Sequence, residues 1–265
     1  MQPNYVFGIG AESRGSPVRL PAGHGYHVTA GDLWGGNIHL LHTQDLKVPA
    51  GGDKWTAIKE CNECYYAPNK GPECTPAANG TFQCCGDKCY DGSCSCPTAG
   101  TMPQTPSTYY LRYTVTYTKQ VASVKNTALG VWTTPNCAAF YSIQRNDEQP
   151  EHLSSTEFTL QADGELVMAV GHQHVGALNI SLFYNDEFVC ASYPTYGSEE
   201  GVAGNEKGFL TKMSTCYDQD QAGGPLKLSQ GDKGRPDSGY WGGSEDPRIG
   251  PLPAGSHLNG MGYMY

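Results

Sequence analysis

From Cys137 to the C-terminus the chain is a succession of short runs rich in β-branched and aromatic residues, cut repeatedly by Gly, Pro, Asn and Asp. The runs read "CAAFYSIQ", "EFTLQ", "ELVMAVGHQHVG", "ALNISLFY", "EFVCASY", "GFLTKMSTCY", "PLKLS" and "NGMGYMY". Between them "ADGE", "YNDE" and "SQGD" carry the residues that hairpin turns demand. No run shows the period of an amphipathic helix, which confines the chain to short strands and an all-β class, a jelly roll or other β-sandwich. Composition agrees: 34 Gly, 18 Pro and 17 Tyr against only 16% charged residues suit strands and turns better than helices. The strictest alternation is "TYYLRYTVTYT", where Tyr109, Leu111, Tyr113, Val115 and Tyr117 interleave with polar residues and predict a half-buried strand. The long polar stretch Tyr196 to Gly208 predicts a surface loop in which Glu199, Glu200 and Glu206 serve solvation.

The chain divides into three by composition. Residues 1–58 form a partial N-terminal β region around one clear strand, "GGNIHLLHT". Residues 59–100 form an insert poor in apolar residues, stapled by Cys61, Cys64, Cys74, Cys84, Cys85, Cys89, Cys94 and Cys96. Residues 101–265 hold the main β domain, entered through the linker-like "PTAGTMPQTPST". Such a density of cysteines indicates an oxidising compartment and disulfides, although C-x-x-C in "CNEC" also has zinc-ligand spacing. A further bridge is expected between Cys190 and Cys216, which lie in two strands either side of the polar loop. The sequons at Asn79 and Asn179 fit the same secreted setting. "MQPNYVFGIG" lacks the basic start and apolar stretch of a signal peptide, so a leader has been removed or the sequence starts late. An odd cysteine count, 11, fits a partner upstream. Net charge −9 argues against nucleic acid, and no apolar run is long enough to span a membrane.

Two histidines, His172 and His174, interrupt the apolar run "VMAVGHQHVGALNISLFYND". Residues i and i+2 of a strand face the same side, so the two imidazoles project together, with Gly171 and Gly176 leaving room for close approach. In the last strand "HLNGMGYMY", His257 and Met261 share a face and could come beside them. Two imidazoles and a thioether make a soft donor set suited to copper rather than zinc or calcium. The bland alternative is a pair of half-buried histidines bonded to carbonyls, with Met261 as core filler. His24 and His27 are turn histidines, and His42 faces away from His39.

The segments "FGIGAESRG", "NIHLLHTQD", "CNEC…CC" and "GHQHVGALNISLFYNDEFVCASYPTYG…AGNEKGFLTKMSTC…HLNGMGYMY" resemble the stress up-regulated nodulin-19-like family of extracellular proteins. That family is distantly similar to the copper type II monooxygenases, the peptidylglycine hydroxylase group, with two copper-bearing jelly rolls. The resemblance implies that His172, His174 and Met261 hold the oxygen-activating copper and that His39 matches one ligand of the second copper. It also matches Tyr265 to a substrate-side tyrosine, a candidate catalytic residue. Two departures stand out: no His-His pair completes the second site, and Val170 stands where the hydroxylases carry a carboxylate-binding arginine. The C-terminus, ending on Tyr265, is expected to be incomplete. Two functions follow from different classes: a secreted copper redox protein, or a structural extracellular protein that assembles with copies of itself or with wall polymers.

Overall fold

The computed structural model describes residues 6–8, 10, 18–36, 108, 110–136, 141–199, 202, 204–252 and 257–265, the last stretch without the side chains of 257–259. The cysteine-rich insert with Asn79, and likewise His39, His42, Cys137 and Glu200, lie outside the described residues. The chain forms two compact units, one of residues 1–33, 117–252 and 257–265, the other of residues 34–116 and 253–256.

The first unit is all-β. In chain order its strands are β1 (His24–Gly25), β2 (Lys125–Asn126), β3 (Trp132–Thr133), β4 (Tyr141–Gln144), β5 (Glu151–Ser155), β6 (Phe158–Thr159) and β7 (Gly164–Leu166). β8 (Met168–His172), β9 (Ala177–Tyr184), β10 (Glu187–Ser192), β11 (Pro194–Tyr196), β12 (Leu210–Met213) and β13 (Thr215–Asp218) follow. A single helical turn, α1 (Gln219–Ala222), precedes β14 (Leu226–Leu228), β15 (Lys233–Trp241), β16 (Glu245–Asp246), β17 (Gly250–Pro251), β18 (His257–Gly260) and β19 (Tyr263–Met264). Among the described residues no helix is long and apolar enough to cross a membrane.

Two antiparallel sheets carry the unit. One has the order β10-β9-β15-β5, with β6 also on β15; the other has the order β13-β8-β19-β3. They share one core, in which Ile180 and Leu182 of β9 and Tyr240 of β15 are buried with Ala169 of β8 and Met264 of β19. The sheets come close at Gly171, where a Cβ would lie 2.0 Å from Ile180 Cγ2. The expected disulfide joins Cys190 on edge strand β10 to Cys216 on edge strand β13, tying the two sheets together along one side.

The β9–β10 hairpin turns as its sequence demands, with positive φ at both Asn185 (48°) and Asp186 (65°). The other two expected hairpins do not form. β6 pairs with β15 and β7 with β14, so "ADGE" and "SQGD" form a corner in which two chain segments pass together from one sheet to another. Leu160 and Gly231 bond across that corner, Gly231 N to Leu160 O at 2.9 Å.

Two further expectations fail. Residues 110–118 form no strand, and Tyr110, Leu111, Tyr113, Val115 and Tyr117 are 65–87% exposed. Alternation chooses a face to bury but supplies no neighbour, and a strand needs a partner for its ladder. Conversely, the longest strand among the described residues, β15, is not among the runs expected to be strands. Its "KGRPDSGYW" carries no aliphatic pattern because it runs between β9 on one side and β5 and β6 on the other, where space is short. At Gly234 a Cβ would lie 2.2 Å from the Phe158 ring. Pro236 costs the sheet little: its carbonyl accepts from Thr156 N, so its missing N–H faces the same side, into the break between β5 and β6. The polar loop after β11 is folded rather than loose: Asn205 donates to Glu199 Oε1 at 2.6 Å, and Glu206 accepts from Gly204 N at 2.8 Å.

Candidate metal site

The histidine strand and the last strand are neighbours. His172 of β8 lies opposite Tyr263 of β19, Gly171 opposite Met264, and Val170 exchanges backbone bonds with Tyr265 at 3.0 and 2.9 Å. The pairing ends there, where β8 finishes at His172 and β19 begins at Tyr263. Side chains alternate across the pair. Gly171 and Met264 turn into the core, so His172 and Tyr263 share the opposite face with Val170 and Tyr265. Tyr240 Oη bonds to the backbone N–H of both His174 and Met261, so the chain segments that carry these two residues come together just beyond the ladder.

Ring geometry fits shared ligation. The imidazole centroids of His172 and His174 are 5.5 Å apart. Two imidazoles holding one ion at about 2.0 Å and a roughly tetrahedral angle place their centroids roughly 5 Å apart. His172 is only 7% exposed, and Tyr263 stands 6.1 Å from it, with Tyr265 edge-on to Tyr263 at 5.9 Å. Burial pushes the Tyr263 phenol above its usual range. Among the described residues no group of three or more His, Cys, Asp or Glu is placed to hold a metal. Two imidazoles joined by a thioether would make a soft donor set of the kind that suits copper.

The surroundings hold this row in place. β8 ends at His172, and a turn follows in which Ala177 N bonds to His174 O at 3.1 Å with Gly176 at φ +90°. Ala177 O in turn accepts from Tyr196 Oη (2.9 Å) and Arg248 Nη1 (2.7 Å), and Arg248 is ion-paired with fully buried Asp246. Burial pushes the Tyr196 phenol up despite the neighbouring guanidinium. Gln173, 1% exposed between the two histidines, points its Nε2 at Ser238 Oγ (2.9 Å), Asn179 O (3.0 Å) and Gly239 O (3.1 Å). Tyr240, fully buried on β15, reaches across from the other sheet; its Oη accepts from His174 N (2.7 Å) and Met261 N (3.1 Å) and donates to Met261 O (2.7 Å). Tyr240, Gln173 and Tyr263 were not legible as site residues. Only the tyrosine two residues after Met261 carried a signal, the same i, i+2 alternation that linked the histidines.

The other candidates separate from this cluster. The last segment is not one strand: His257 lies in β18 opposite Gln144 of β4, while Tyr263 and Met264 join β8. The chain changes sheets at Gly260 and Gly262, where a Cβ would lie 2.6 Å from Ile143 and from Thr134 respectively, so the shared-face argument for His257 fails. Tyr265 is on the same face as His172 but opposite Val170, one pair beyond Tyr263, and Gly8 packs on its ring. His24 and His27 bond to the carbonyls of Ala22 and Val124. Asn179 sits half-buried on the outer face of the other sheet, its Nδ2 donating to the sequon serine Ser181 at 3.2 Å.

The fold and this face define an all-β protein with a paired-histidine row on one sheet, closed by its last strand. Residues 2–245 match the family described as stress up-regulated Nod 19, and the chain belongs to that family. The match stops short of Met261. No curated protein matches the chain significantly.

Proposed function

We propose that the protein binds one copper ion through His172, His174 and Met261 and is a secreted, redox-active member of its family. The observation that carries this reading is the pairing of His172 with Tyr263, beyond which Tyr240 Oη joins the backbones of His174 and Met261, while the two imidazole rings stand 5.5 Å apart. Copper held there would supply one-electron exchange with oxygen or peroxide. The chain's own part is to present two imidazoles and a thioether on one face and to keep water from His172 with the tyrosine wall beside it. Two sheets sharing a core, with the histidines on the outer face of one, fit a jelly roll of the copper type II monooxygenase kind. Val170 next to Tyr265 offers no cation for a substrate carboxylate, so peptides ending in a free carboxylate are poor substrates in this reading. The Cys190–Cys216 bridge supports an oxidising, extracellular setting, in which Asn79 and Asn179 would be glycosylated.

The test is metal content by mass spectrometry on protein from its natural source, with His172→Ala beside it. About one copper per chain, lost in the variant, supports the site; no copper in either, even after Cu(I) is offered, sinks it. A second reading, a structural protein that assembles with copies of itself, draws on the exposed alternating row Tyr110 to Tyr117, an unpaired segment able to add to another sheet's edge. Sedimentation as large assemblies regardless of metal would favour it.

A further inference from the structure

We infer that Tyr240 is a positioning residue whose hydroxyl bridges His174 and Met261 just beyond the β8–β19 ladder and so sets the spacing of the two donors. For its consequence on metal the inference rests on the copper reading above; the clamp itself stands on hydrogen-bond geometry.

Antiparallel pairs alternate between hydrogen-bonded and non-bonded sites. Val170 and Tyr265 exchange both backbone bonds, so two residues further along His172 with Tyr263 falls on a bonded site. At His174 the chain turns away from β19, and His174 O accepts from Ala177 N. The groups at the end of the ladder still need hydrogen-bond partners, here His174 N–H, Met261 N–H and Met261 O. One phenol oxygen meets all three needs. A hydroxyl has two acceptor sites and one donor, and Tyr240 uses every one: it accepts from His174 N and Met261 N and donates to Met261 O. The oxygen is also a wedge. Directly bonded neighbours bring their Cβ atoms to about 5 Å; an inserted oxygen parts the chains where an imidazole and a thioether would share an ion. Tyr240 arrives from β15, in the opposite sheet, so the spacing of the site is tied to the packing of the two sheets.

The experiment is amide hydrogen exchange on the full chain, followed by Cu(I) titration with X-ray absorption, for wild type, Tyr240→Phe and Tyr141→Phe. Phe at 240 keeps a ring to meet Tyr141, whose centroid lies 6.1 Å away, and removes only the oxygen. In wild type the His174 and Met261 amides should be protected although neither lies in a strand; open-chain exchange at both overturns the clamp without any variant. In Tyr240→Phe both amides should exchange about tenfold faster, while Ile180 and Gly171 stay unchanged. Cu(I) should bind about tenfold more weakly and lose its sulfur scatterer while keeping two imidazoles. Tyr141→Phe removes a half-buried hydroxyl bonded to Ser238 and should move neither reading. Faster exchange with unchanged copper affinity and sulfur signal overturns the positioning role and leaves a structural bond. Wild type that takes no copper, with the exchange effect intact, overturns the copper reading and the positioning role but not the clamp.

Discussion

Residues 110–117 and residues 233–241 reverse each other. The first stretch alternates Tyr, Leu and Val with polar residues and forms no strand, standing open to solvent. The second contains two glycines, a proline, an arginine and an aspartate, and is an interior strand of the larger sheet. Intrinsic preference therefore did not decide which became a strand; neighbours did. β15 has β9 along one edge and β5 and β6 along the other, and its small residues are what such crowding permits. In sheets, propensity is largely a measure of packing against neighbours.

The contrast can be broken by mutation, the largest effects falling where strands are held by neighbours. Replacing Cys190 and Cys216 together by serine removes the staple between the sheets. Its loop of 26 residues is worth about 3.5 kcal/mol in the chain-entropy model, read as the drop in unfolding free energy in urea. Gly234→Ala drives a methyl into the Phe158 ring, which is itself stacked on Trp132 at 4.5 Å. The expected loss is about 2 kcal/mol, and a loss near zero would mean that β15 is not as crowded as described. A smaller, pH-dependent effect belongs to His152, which lies opposite Tyr240 on β5 and whose pKa is lowered from 6.5 by burial. The unfolded chain takes up that proton first, so stability should fall as pH drops through 6.5 toward the lower folded value, with no contribution above it. His152→Gln should flatten that part of the melting-temperature profile. Least affected should be Tyr113→Ser, expected within about 0.5 kcal/mol of wild type; a loss of several times that would show that the exposed segment has a stabilising partner.

Much of the architecture was legible locally. Asn185 and Asp186 announced their turn through the positive φ they tolerate, and β8, β9 and β10 fell within their apolar runs. His172 and His174 could be paired from alternation alone, and Met261 could be added because the last run looked like a strand. The change of sheet between Gly260 and Gly262 could not be read, because it answers to Ile143 and Thr134 more than a hundred residues away. Tyr240 was hidden for a similar reason: one tyrosine among 17 carries no mark of the oxygen it offers to a distant turn.

By itself the sequence determined the all-β class, the β9–β10 hairpin and the side-by-side histidines. These depend on side-chain period and turn dihedrals, which act within a few residues. Only the tertiary structure decided that "KGRPDSGYW" would be an interior strand, that residues 110–118 would form no strand, and that His174 and Met261 would meet across a phenol. Strand pairing joins residues far apart in the chain, and the crowding and hydrogen-bond needs that select a partner exist only once both sheets are in place.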